Sequence, residues 1–109
     1  MTNQLSKLKC KTCEGLEDKL SEQKVSEYLS KLQDWKLKDN KIQKEFKFKD
    51  FQASLIFINQ VGQLAEDECH HPDIEFGWGY AKIILTTHAV KGLSINDFIL
   101  AAKIDQISI

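Results

Sequence analysis

The three histidines of this chain all lie in one stretch, CHHPDIEFGWGYAKIILTTH, which runs from Cys69 to His88. Imidazole has an unperturbed pKa of about 6.5, so it gives or takes a proton near neutral pH and is the commonest general acid or base. Three imidazoles in one cleft would suit a reaction that moves more than one proton. The adjacent pair His70-His71 sends its side chains in different directions, so one can do chemistry while the other orients a ligand. Two other readings stay open. Histidines near a helix C-terminus are favoured by the backbone dipole and need no function. Cys10, Cys13 and Cys69 with the imidazoles also contain the donor types that zinc takes, although only CKTC has the spacing of a zinc knuckle.

The elements that must position these residues follow from periodicity. Residues 1–19 are polar without a repeat and read as a flexible leader; order is expected from about Leu20, in a domain spanning 20–109. Ser21 is a candidate N-cap, and Val25, Tyr28, Leu29 and Leu32 fall on one face of a first helix. Trp35 and Leu37, the turn formers Asp39-Asn40, and Ile42, Phe46 and Phe48 describe a hairpin. Asp50 can cap a second helix carrying Phe51, Leu55, Ile58, Gly62, Ala65 and Cys69 at helical spacing. Ile56, Phe57, Val61 and Leu64 widen that apolar stripe.

Pro72, the only proline, should end this helix and leave His71 outside it. Ile74, Phe76, Trp78 and Tyr80 then alternate with polar or small residues, a turn falls near Gly79, and the β-branched run to His88 completes a second hairpin. Alternation places His88 at the strand end on the face of Thr86 and Ile84. Ser94 and Asp97 form a variant capping box for a last helix with Phe98, Ala101 and Ala102. The order α-β-β-α-β-β-α implies an α+β fold, a four-stranded antiparallel sheet with three helices packed on one face.

With 109 residues, 42% apolar and 28% charged, and a net charge of −1, the chain has an ordinary globular composition. Lys and Glu are interspersed, so no basic stripe suggests direct nucleic-acid binding. No window resembles a membrane span or a signal peptide, and an odd number of cysteines fits a reducing compartment, so a cytoplasmic protein is expected. Exposed sheet edges and the wide stripe of the second helix predict self-association.

The spacing Glu66-x3-His70-His71-Pro72-x5-Trp78-x9-His88-x8-Asp97 resembles the signature of the pterin-4a-carbinolamine dehydratases. The likeness extends over about residues 20–107 and includes Trp35 and the start of the last helix. It implies an enzyme that dehydrates 4a-hydroxytetrahydropterin to quinonoid dihydropterin, in the recycling of tetrahydrobiopterin for an aromatic amino acid hydroxylase. It also implies a site without metal or cofactor, and a homodimer or homotetramer. By this resemblance Cys69, His70, His71, Pro72, Thr86, Thr87, His88 and Ala89 line the pterin pocket. His70 and His88 would transfer protons and His71 would bind the ring. Glu66 lies at i, i+4 before His70 and could orient an imidazole. Trp78, on the apolar face of its strand, and Trp35 suit core packing or stacking on a pterin. Asp97 reads as a helix cap, and Cys69 stands where many relatives carry Asp or Asn. Animal relatives of the family also act as a dimerisation cofactor for a transcription factor, so a protein-binding role is the alternative.

Overall fold

Ser21 accepts a hydrogen bond from the Lys24 N–H and opens helix α1 (Glu22–Leu29). This computed structural model describes residues 4–10 and 18–107. Strands β1 (Lys36–Lys38) and β2 (Lys41–Lys47) are joined through Asp39 and Asn40, at φ 51° and 62°. Two consecutive positive φ values define a type I′ turn, whose twist matches that of the flanking strands. The Asp50 carboxylate accepts from the Ala53 N–H at 2.8 Å and starts α2 (Phe51–Glu68). Strands β3 (Asp73–Gly77) and β4 (Tyr80–Leu85) flank the Trp78-Gly79 turn, and the Ser94–Asp97 capping box opens α3 (Ile95–Asp105).

The strands pair antiparallel in the order β1-β2-β4-β3. The period of two buries Ile42, Phe46, Ala81, Ile83 and Leu85 on one face, against Phe57 and Val61 of α2 and Phe98, Ala101 and Ala102 of α3. The fold is therefore the expected α+β arrangement in the expected order, with the helices on one side of the sheet.

Four local features differ from the pattern read in the sequence. Helix α2 buries Ser54, Phe57, Val61, Ala65 and Glu68, while Phe51, Leu55 and Ile56 stand exposed. Phe57 wedges between Phe46 and Phe48, at 4.7 and 5.1 Å between ring centroids, and this contact sets which face of the helix turns inward. Trp78 is 70% exposed, because the two-residue turn takes it out of the strand that would have placed it inward. Trp35 instead is a core residue, its indole N–H bonded to Asp105 at 3.0 Å. Strand β4 ends at Leu85, so His88 begins a short 3-10 turn, His88–Val90, rather than ending a strand. Finally, order begins earlier than Leu20: Gln4–Lys7 form a 3-10 turn and Leu5, 4% exposed, enters the core against α3. Leu5 and Leu8 supply too little repeat for that packing to show as periodicity.

Candidate active site

The end of α2 aims the histidine pair. Cys69 adopts left-handed geometry (φ 53°, ψ 35°), its N–H reaches the Glu66 carbonyl at 3.2 Å, and the His70 N–H reaches the Ala65 carbonyl at 3.2 Å. These two bonds make a Schellman motif, which satisfies the last helical carbonyls and reverses the chain direction. His70 thus leaves the helix surface and turns inward.

Its side chain is 12% exposed, and Nε2 lies 2.7 Å from Oδ1 of Asp97, whose side chain is fully buried. Asp97 uses its other oxygen locally. Oδ2 accepts from the Ser94 N–H at 3.0 Å and from the Thr87 hydroxyl at 2.7 Å. Thr87 has one hydroxyl hydrogen and gives it to Asp97, so the 2.8 Å contact between Thr87 and Ser94 is a donation from Ser94. A carboxylate surrounded by these donors is an acceptor throughout. The network therefore assigns the His70 proton to Nε2, leaving Nδ1 with a free lone pair in the neutral imidazole. An aspartate holding one imidazole nitrogen in this way selects the tautomer and stabilises the imidazolium that forms when the other nitrogen takes a proton.

His71 sits differently. It is an exposed residue, and its Nε2 contacts Oε2 of exposed Glu66 at 2.6 Å. Glu66 consequently pairs with His71 and not with His70, because the left-handed Cys69 breaks the helical geometry on which an i, i+4 contact with His70 depends. His88 is exposed at the start of its 3-10 turn, next to Thr87. The Asp97 carboxylate thus ties His70 on the α2 side to the Thr87-His88 turn on the β4 side. The Thr86 hydroxyl lies 3.0 Å from the Asn40 carbonyl and 3.1 Å from the Gly92 carbonyl and shares its one hydrogen between them, while Thr87 bridges to Gly92 through its backbone. Both hydroxyls therefore shape the loop. Ala89 and Cys69 are exposed and Pro72 half-buried, all three beside the histidines in the chain. A groove of about 430 Å³, lined by Lys19, Leu20, Val25, Leu37, Asn40 and Leu93, borders the same loop.

Among the described residues no three His, Cys, Asp or Glu side chains gather as a metal site. Cys10 is half-buried, and Cys13, the other half of CKTC, lies outside the described residues. The residue whose importance the sequence understated is Asp97. Its Ser-x-x-Asp spacing signals a cap but carries no sign of the second oxygen facing His70.

An α+β domain with a buried aspartate-histidine pair, and further imidazoles on the turns beside it, has the equipment of a proton-transfer site. The chain belongs to the pterin 4 alpha carbinolamine dehydratase family, whose model matches residues 18–107. A protein of Azoarcus sp. (strain BH72) is 46% identical over 99% of this chain and 94% of its own length, and one of Alkaliphilus metalliredigens is 44% identical over 95% and 96%. Both bear the name "Putative pterin-4-alpha-carbinolamine dehydratase". Among solved structures, a transcriptional coactivator/pterin dehydratase from Brucella melitensis superposes with a TM-score of 0.76 at 31% identity, over 80% of this chain and 95% of that one. A pterin dehydratase-like protein described as a RuBisCO assembly factor in the alpha-carboxysome superposes at 0.55 with 25% identity, over 65% and 82%.

Proposed function

We propose that this chain dehydrates a 4a-hydroxytetrahydropterin to the quinonoid dihydropterin and water. The observation that carries this reading is the His70–Asp97 contact within a chain of this family. The reaction breaks the bond between C4a and its hydroxyl, and that oxygen must gain a proton to leave as water. A ring-nitrogen proton departs at the same time, and its electrons form the new double bond. His70, held through Nε2, takes the nitrogen proton at Nδ1. His88, on the facing turn, protonates the leaving hydroxyl, and His71 with Glu66 at the rim holds the ring. Solvent exchange returns both imidazoles to their starting states, so one turnover yields product and water with no net redox change.

The same reading places the enzyme in the cytoplasm as a homodimer or homotetramer, regenerating pterin for an aromatic amino acid hydroxylase. A stopped-flow assay with chemically generated 4a-hydroxytetrahydropterin tests it. Dehydration faster than the uncatalysed rate, in proportion to protein, is the expected result; no acceleration by folded protein refutes it. A second reading, that of a protein-binding module, is favoured by one feature: the large apolar residues Phe51, Leu55, Ile56 and Trp78 that stand in solvent. It accords with the coactivator and assembly-factor descriptions of the two structural relatives.

A further inference from the structure

The last turn of α2 contains Glu66, Asp67 and Glu68 and no basic residue. Three carboxylates at a helix C-terminus oppose the backbone dipole, which favours cations there. This is also the turn that launches His70 and His71. Glu66 and Asp67 are exposed, where water screens them, and they contact His71 and Gln63. Glu68 points inward, its side chain only 4% exposed.

What meets Glu68 comes from outside the helix. Its Oε1 accepts the Cys10 N–H at 2.9 Å, and its Oε2 lies 3.9 Å from Lys103 of α3 and 3.7 Å from Lys9. Burial pushes the Glu68 carboxyl upward, but the Cys10 N–H and the two ammonium groups outweigh it and hold the group below its ordinary value. Lys103 also donates to the Ser6 carbonyl at 2.9 Å, so one ammonium binds the N-terminal segment and the end of α2 together. Burial and the neighbouring Glu68 carboxylate push the Cys10 thiol up to about 12. It therefore stays an S–H, and it reaches the Asn96 carbonyl at 3.7 Å.

These contacts converge on the two ends of the His70–Asp97 pair. Glu68 is two residues before His70, and Asn96 immediately precedes Asp97. Residues 4–10 lie outside the segment that matches the family model. We propose that Glu68 is a positioning residue: by pinning the Leu5–Cys10 segment across the end of α2 and the start of α3, it holds His70 on Asp97. The segment supplies the N–H donor that the acidic helix end lacks, and Lys103 of α3, which holds the segment through the Ser6 carbonyl, supplies positive charge together with Lys9. Without them the last turn of α2 frays, and the Schellman turn that aims His70 goes with it.

The inference rests on the dehydratase reading for its rate effect but has a readout independent of it. Full-length Glu68→Gln, Lys103→Met and Lys103→Arg proteins are compared with the parent by stopped-flow dehydration and by NMR of the imidazole N–H protons. The first two variants should lower kcat about 10-fold, as expected for a displaced catalytic group, with KM changed less than about twofold. They should also speed solvent exchange of the His70 Nε2–H. Lys103→Arg should restore both readouts. Lowered thermal stability with unchanged kcat and unchanged His70 exchange overturns the proposal and leaves the segment as packing alone. If Glu68→Gln does not fold, Lys103→Met decides. If the parent shows no dehydratase activity, the functional reading fails while the exchange of His70 still decides this one.

Discussion

Replacing Asp97 by Asn separates charge and tautomer from shape. Asp97 is fully buried and receives hydrogen bonds from the Thr87 hydroxyl, the Ser94 N–H and His70. An asparagine fits the same space, but its carbonyl must face the two donors at Thr87 and Ser94, because its amide cannot accept from them. The NH2 group then points at His70 Nε2, which must become an acceptor, and the imidazole proton moves to Nδ1. The lone pair that would take the substrate proton disappears. A general base is worth about 10² to 10⁴ in rate, so kcat should fall by that factor, with KM nearly unchanged. Stability should fall less. Three hydrogen bonds to a charged group become neutral ones while the geometry of the cap is kept, a loss of about 1.5–3 kcal/mol in all. Asp97→Ala, which leaves three buried donors without an acceptor, should cost more than Asp97→Asn by roughly a further 1–3 kcal/mol. Stopped-flow dehydration with subtraction of the uncatalysed rate measures the first effect, and denaturant titration the second. Nitrogen-15 shifts of His70 report the tautomer. An Asp97→Asn protein that keeps the parent kcat and the Nε2–H tautomer refutes the assignment of His70 as the base.

The histidines should divide under single alanine substitution. His70→Ala and His88→Ala should lower kcat by about 10² or more, whereas His71→Ala should mainly raise KM, and the double variant His70→Ala, His88→Ala should fall short of the product of the singles if the two act as a unit. Cys69→Gly should raise the denaturant midpoint by the equivalent of about 1 kcal/mol at unchanged m, because only glycine occupies a left-handed φ of 53° without cost. The Glu68 carboxyl is held below its ordinary value in the folded chain, so its contribution to stability is complete above the unfolded value of about 4.3 and is lost as pH falls through the folded one. Acid unfolding of Glu68→Gln should therefore depend less on pH in that range; equal pH dependence in the two proteins would sink the assignment. Phe51, Leu55 and Ile56 should lie in a contact between copies of the chain, so Leu55→Glu with Ile56→Glu should shift sedimentation toward monomer, whereas a parent that is already monomeric at micromolar concentration contradicts this.

The features legible in the sequence are those whose cause lies within a few residues. Ser21, Asp50 and the Ser94–Asp97 box cap helices through bonds to the backbone three positions on, and Asp39-Asn40 takes the positive φ values that a two-residue hairpin needs. Sequence spacing shows both directly. The rotation of α2 was not legible in that way. Apolar residues occupy most of its circumference, so the choice between the Phe51–Leu55 face and the Phe57–Val61 face is made by the aromatic groups of β2 and the residue after it. Trp78 shows the same limit at shorter range, since a shift of one residue in the turn separates a core tryptophan from an exposed one.

The site divides along the same line. Clustering marked the three histidines, but their partners depend on geometry that spacing does not carry. One left-handed residue, Cys69, transfers Glu66 from His70 to His71 and hands His70 to a carboxylate 27 positions away. Asp97 joins the two kinds of information in one side chain. Its Oδ2 completes the local cap that the sequence announces, and that cap fixes the orientation of the carboxyl plane. Oδ1 is thereby aimed outward from the helix start at the one place where the reversed chain brings His70. The cap and the support of His70 are therefore a single device. A substitution that preserves the cap and removes the charge, as Asp97→Asn does, should separate them in kcat more than in stability.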